Sequence, residues 1–139
     1  MKLFIKSSKN KSIWISNNSG FWFIMKEGQL SFIGLGLFDE KDISVKGLEE
    51  IKNSEKIFAE FYTAKLVGTT IEKLEKTYGK KITVLDREKT EKGDMIINSA
   101  KKERTAFIVA GDSMTATTHV DLRIRAIKEE IARAHVWTP

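Results

Sequence analysis

From Leu30 onward, short apolar runs alternate with longer segments whose apolar residues recur every three or four positions, and this happens four times. The short runs are Leu30–Gly34 (LSFIG), Lys56–Phe61 (KIFAEF), Ile82–Leu85 (ITVL) and Thr105–Ala110 (TAFIVA). Such brief, mostly apolar runs suit strands covered on both faces. Between the first two, Ser44 precedes Val45, Leu48 and Ile51, which predicts a helix over about 45–54 with a serine N-cap. Thr69 or Thr70 caps a second helix carrying Ile71, Leu74 and Tyr78, and Gly79 ends it. Met95, Ile96, Ser99 and Ala100 belong to a third helix. The last opens at Thr117-Thr118, where Thr118 and Asp121 have capping-box spacing, and Val120, Ile124, Ile127, Ile131 and Ala134 form its apolar stripe. The repeated strand–helix order specifies an α/β fold, a mostly parallel sheet with helices on both faces. A strand normally follows such a helix, but only Val136-Trp137-Thr138-Pro139 remain, so the domain is expected to be cut short at its carboxyl end.

The first 29 residues differ from the rest. They carry five Lys and one Glu, a net of +4, whereas the other 110 carry 19 Lys+Arg and 18 Asp+Glu, a net of +1. The overall basic charge therefore reports residues 1–29 rather than the domain at 30–139, which argues against a nucleic-acid surface. Residues 1–29 mix Ser, Asn and Lys with the clusters Ile13-Trp14-Ile15 and Phe21-Trp22-Phe23-Ile24, and Ser16 to Gly20 interrupts the apolar stretch that a secretory signal requires. The segment reads as a basic leader, poorly ordered or lying upstream of a true start at Met25. No apolar run reaches the ~18 residues of a membrane span. The absence of cysteine excludes disulfides, thiolate nucleophiles and cysteine zinc sites, and with two histidines, His119 and His135, a His-rich metal site is excluded as well.

Ligands of open α/β sheets bind at the carboxyl ends of the strands. Two glycine turns fall there: Gly34-Leu35-Gly36-Leu37-Phe38-Asp39 after the first strand and Gly111-Asp112-Ser113-Met114-Thr115 after the fourth. If those strands are neighbours, both turns face one crevice. A dinucleotide site competes, since Gly34-x-Gly36 begins its fingerprint and Glu60 ends the second strand; but position 39 is Asp, and Asp39, Glu40 and Asp42 put negative charge where pyrophosphate would lie. A hydrolase also competes, with His119, Asp112 and Ser113 as triad residue types, but there is no G-x-S-x-G elbow. His119 reads more simply as a helix-start residue bonded locally, and Thr117 and Thr118 as caps. Asp112 is either an acceptor for a ligand's amine or hydroxyls or an Asx-turn residue. Arg123 and Arg125, Lys80-Lys81 and Lys101-Lys102 read as solvated faces.

The runs FIGLGLFDEKDISVKGLEEI, IFAEFYTAKLVGTTIEKL, ITVLDRE and GDSMTATTHVDLRIRA resemble the amino-terminal half of the diphthine synthase family, in its archaeal wording, over about Leu30 to Ala126. That family belongs to methylases built like the tetrapyrrole methylases. The resemblance implies a two-domain cytoplasmic homodimer that uses S-adenosylmethionine to methylate the modified histidine of translation elongation factor 2. It implies cofactor contacts at Leu37, Asp112 and Thr115, with the surrounding Gly34, Gly36 and Gly111; Thr115 stands where the family usually has valine and Ser113 where it usually has proline. It implies no metal, nucleic-acid or membrane partner. In-line methyl transfer needs no protein nucleophile, because the cofactor brings the leaving group and the protein supplies positioning. The accepting amine must be unprotonated, and no base is identifiable. The second domain and the other cofactor contacts lie beyond residue 139, so the chain alone is expected to be weak or inactive, or else a non-catalytic remnant or interaction domain.

Overall fold

The computed structural model describes residues 4–7, 12–16, 22–26, 28–131 and 134–137. The first elements are strands β1 (Phe4–Ser7), β2 (Ser12–Ser16) and β3 (Trp22–Lys26), paired antiparallel in a three-stranded sheet. Strands thus stand in the segment read as a poorly ordered leader; residues 1–3, 8–11, 17–21 and 27 lie outside the described residues.

The domain proper follows as β4 (Gln29–Gly34), α1 (Val45–Asn53), β5 (Lys56–Glu60), α2 (Ile71–Tyr78), β6 (Thr83–Val84), α3 (Arg87–Lys92), α4 (Asp94–Ala100), β7 (Arg104–Val109), α5 (Thr117–Lys128) and β8 (Ala134–Trp137). Its five-stranded sheet has the order β6-β5-β7-β4-β8, and every pairing is parallel. The chain leaves β4 for β5 on one side of β7, and leaves β7 for β8 on the far side of β4. The connections therefore diverge at the β4–β7 boundary, the switch point at which open sheets hold ligands.

Side-chain alternation along the strands explains the layers. On β7, Phe107 and Val109 join Leu30, Phe32 and Phe58 against Ile96 and Ile97 of α4 and Leu122 and Ala126 of α5. Ala106 and Ile108 join Ile33, Ile57 and Ala59 against Ile51 of α1 and Leu74 and Tyr78 of α2. Both faces are covered, so residues 29–34 are buried without interruption.

Ser44 accepts from Gly47 N, and Thr70, rather than Thr69, accepts from Lys73 N. Four details differ from the sequence reading. Helix α3 was not expected: REKTEK contains no apolar residue to set a period, and the signal that exists is Asp86, whose Oδ1 accepts from Lys89 N at 2.9 Å. The N-cap of α5 is Ala116, with no side-chain bond, so neither Thr117 nor Thr118 caps it. Of its expected apolar stripe, Val120, Ile124 and Ile127 face outward at 37%, 46% and 57% exposure, Ile131 lies past the helix end and is buried, and Ala134 belongs to β8; within the helix His119, Leu122 and Ala126 face the core. Both triplets have helical spacing, and the polar His119 disguises the buried one. Finally, the strand thought missing after α5 is β8, which pairs Leu30–Ile33 with residues 134–137.

Candidate functional site

The rim between β4 and β7 is assembled from backbone. Leu35 N donates to Val109 O (2.9 Å) and Gly111 N donates to Gly36 O (2.7 Å), so the two glycine turns meet in an antiparallel bridge beyond the parallel ladder. Gly36 has φ +83° and Gly111 φ +75°, values that disfavour any side chain. A Cβ at Gly36 would lie 2.3 Å from Asp42 Cβ, so that loop is tightly wound. A Cβ at Gly111 would find its nearest neighbour, Leu37 Cδ2, at 3.9 Å. The surface over Gly111 is thus open backbone with Leu37 as an apolar wall, and Leu37 is 80% exposed.

The structure brings Gly36, Leu37, Gly111 and Asp112 to the same rim. Gly34 sits deeper, as the last residue of β4 opposite Val109. Asp112 is exposed, and its Oδ1 accepts from Met114 N at 2.7 Å, the Asx-turn arrangement. Thr115 is exposed, and its N–H reaches Asp112 O at 3.4 Å. Ser113 is buried, with no hydrogen-bond partner for its hydroxyl.

The competing sites do not assemble. Asp42 Oδ2 accepts from Phe38 N (2.8 Å) and Asp39 Oδ1 from Lys41 N (2.9 Å), so the acidic loop consumes its own amides and offers no anion cradle. Glu60, 1% exposed, accepts from Tyr62 N (3.0 Å) and Thr63 N (3.1 Å), which leaves it unable to reach a ribose. His119 is also not the locally bonded helix-start residue that was expected. It is 2% exposed, its Nε2 lies 3.1 Å from Glu60 Oε1, and its ring meets Phe107 edge-on at 5.3 Å. The Nε2 contact is close but off the N–H axis, an electrostatic pairing rather than an aligned hydrogen bond. Burial pushes the Glu60 carboxyl up, but His119 and Thr63 outweigh it and hold the carboxyl below its ordinary value.

Two residues read as solvated cations are structural. Arg125 joins Asp94 Oδ1 and Glu129 Oε1 at 2.7 Å each, and donates to Lys92 O at 2.6 Å. Lys80 Nζ donates to Ser54 O at 2.8 Å. Sequence reasoning also missed an apolar cleft of about 310 Å³ lined by Phe61, Lys65, Leu66, Ile71, Leu74 and Val84, beyond the ends of β5 and β6. Among the described residues no cluster of three or more His, Asp or Glu could hold a metal, and no helix is long and apolar enough to cross a membrane.

A parallel β6-β5-β7-β4-β8 sheet with an open backbone rim at its switch point defines an open α/β domain of the ligand-binding type. Residues 29–136 match the tetrapyrrole (corrin/porphyrin) methylases, and the chain belongs to that family. It is 54% identical over 99 residues to the diphthine synthase of Methanosarcina mazei, covering 71% of this chain and 37% of that protein. Against the diphthine synthase of Methanococcoides burtonii it is 57% identical over 99 residues, covering 70% and 37%. A diphthine synthase crystal structure superposes with TM-score 0.75 at 37% identity, over 79% of this chain and 43% of that one. The crystal structure of a putative diphthine synthase from Entamoeba histolytica gives 0.69 at 41% identity, over 80% and 41%. The uroporphyrin-III-C-methyltransferase of Thermus thermophilus, at 15% identity, TM-score 0.65 and coverage of 81% and 48%, shares the fold alone. The chain spans about two fifths of the length of the diphthine synthases it resembles.

Proposed function

We propose that this chain forms the amino-terminal, cofactor-facing part of a diphthine synthase: an S-adenosylmethionine-dependent methyltransferase acting on the modified histidine of translation elongation factor 2, as a cytoplasmic homodimer. The observation that carries the reading is the Gly36–Gly111 bridge, which sets Leu37 and Asp112 beside a patch of open backbone. The residues suit the cofactor. Gly111 leaves room for close approach, Leu37 offers an apolar wall, and the exposed Asp112 carboxylate can accept from ammonium or hydroxyl donors. Thr115 and Gly34 are the less direct members of the set.

When bound, the cofactor supplies an activated methyl on a sulfonium. The chain's part is to hold it in line for attack, a contribution of up to ~7–11 kcal/mol to a two-reactant step. One wall of a cleft preorganises poorly, so the isolated chain should bind in the millimolar range rather than tightly. A second reading, a non-catalytic interaction domain that keeps the fold, draws on the apolar cleft lined by Phe61, Leu66, Ile71 and Val84.

Titration of the labelled chain with S-adenosylmethionine, followed by amide NMR, tests the first reading. Shifts at residues 36–37 and 111–115 are expected, and Leu37→Asp, at a site 80% exposed, should abolish them without loss of stability. Shifts confined to the cleft near Phe61, or none at all, would favour the interaction domain. Methyl transfer to elongation factor 2 on co-expression with the carboxyl-terminal part of a related diphthine synthase would establish the activity.

A further inference from the structure

Glu60 and His119 are titratable yet 1% and 2% exposed, so neither can touch a ligand on the rim. What they touch is the chain that builds the rim. Through Oε2, Glu60 accepts from Tyr62 N and Thr63 N and fixes the turn leaving β5. Through Oε1 it faces His119 Nε2, in the first turn of α5, at 3.1 Å. One buried carboxylate thus ties together the segments that leave β5 and β7. Its anchoring of α5 matters more because that helix has no side-chain cap, Ala116 being its N-cap residue. A carboxylate near the first turn also complements the positive end of the helix. The loop between β7 and α5 is then held at both ends: Gly111 N bonds Gly36 O at one, and His119 rests on Glu60 and the Phe107 ring at the other.

We propose that Glu60 and His119 are a positioning pair: they fix the first turn of α5, and with it the Gly111–Thr115 turn, where the cofactor is to be received. The cofactor clause rests on the methyltransferase reading; the fixing of the turn does not. The chemistry makes the pair testable. The Glu60 carboxylate lies 3.1 Å from Nε2 and can only accept, so its charge favours the tautomer with the proton on Nε2 and the lone pair on Nδ1. Both ring nitrogens are buried without an aligned hydrogen-bond partner, so the charge of Glu60 alone selects the tautomer.

In Glu60→Gln, the amide oxygen still serves Tyr62 N and Thr63 N while its NH2 faces His119, which drives the ring proton from Nε2 to Nδ1. Nitrogen-15 spectra of the ring should therefore show the Nε2–H form in the native chain and the Nδ1–H form in the variant. His119→Gln keeps a donor near Nε2, whereas His119→Phe keeps the bulk without one. We expect amide order parameters at Met114 and Thr115 near the rigid value of about 0.85 in the native chain and His119→Gln, falling below about 0.6 in His119→Phe. Should His119→Phe fail to fold, the tautomer switch and the rescue by His119→Gln carry the test. An Nδ1–H ring in the native chain, or a folded His119→Phe whose turn stays rigid, overturns the proposal. Cofactor titration separates the two readings: no shifts at 111–115 in a native chain whose variants still loosen the turn removes the methyltransferase reading and leaves the pair standing.

Discussion

The two rim glycines both have positive φ, yet replacing them with alanine should have unequal consequences. At Gly111, φ +75°, an added methyl meets only Leu37 Cδ2 at 3.9 Å. The cost is then backbone strain, ~1–2 kcal/mol, reduced by ~0.4–1 kcal/mol because alanine has fewer unfolded conformations to lose. The net is about 1 kcal/mol. At Gly36, φ +83°, the methyl would sit 2.3 Å from Asp42 Cβ, an atom that cannot swing aside without its backbone. Carbon atoms need roughly 3.5 Å or more, so the loop must shift by about 1 Å. That shift breaks the Asp42–Phe38 N bond of 2.8 Å, a further ~1–2 kcal/mol for a partly screened charged acceptor. Gly36→Ala should cost about 2–3 kcal/mol in total, against about 1 for Gly111→Ala. At roughly 3–6 °C per kcal/mol for a domain of this size, Tm should fall by about 10 °C in the first variant and about 5 °C in the second. Urea unfolding should give the same order, and the pair Gly36→Ala/Asp42→Gly should recover at least ~1 kcal/mol as a coupling energy, because the atom that is struck has been removed. If Gly36→Ala proves no worse than Gly111→Ala, or Asp42→Gly gives no recovery, the tight winding of the β4 exit is wrong, and so is the rim built on it.

The pH dependence of stability isolates Glu60. Its folded pKa lies below the ordinary 4.5, so its contribution is present above that value and lost as the pH falls through the folded value. The stability deficit of Glu60→Gln should therefore be largest near pH 7 and shrink below about pH 4.5, and urea midpoints giving a constant deficit would contradict this. The orientation of α5 gives another comparison. Ile124→Ser and Ile127→Ser, at positions 46% and 57% exposed, should each change stability by less than ~0.5 kcal/mol. Leu122→Ala, at 4% exposure, should cost ~2–5 kcal/mol; equal effects on both faces would reverse the helix assignment.

Much of this fold was readable because its signals are local. A β strand covered on both faces must be continuously apolar, and TAFIVA and LSFIG carry that signature wherever the strands end up in the sheet. Ser44 and Thr70 could be recognised as caps because the groups they satisfy lie three residues away. The same local logic failed at α5, where two helical triplets compete. A pattern that ranks apolar residues above histidine selects Val120, Ile124 and Ile127, yet His119 is buried because a carboxylate waits for it in the interior. It failed again at β8, since four residues at the end of a chain carry too little periodicity to be told from a fray, and what makes them a strand is the unpaired edge of β4.

The candidate site divides along the same line. The glycine turns announce themselves, because a backbone that needs positive φ near a strand end admits few residues. That they meet depends on β4 and β7 being neighbours, a matter of strand order that requires the whole sheet. The Glu60–His119 contact was further out of reach. The two residues are 59 positions apart, and each has a plausible local role, one as an acid at a strand end and the other as a residue at a helix start. Only the placement of β5 beside β7 turns those separate roles into a single buried pair. Sequence therefore revealed the two glycine turns of the candidate rim, because exposed glycine turns depend on local backbone conformation. The support beneath it is made of contacts between segments that are distant in the chain, and these exist only once the strand order is known.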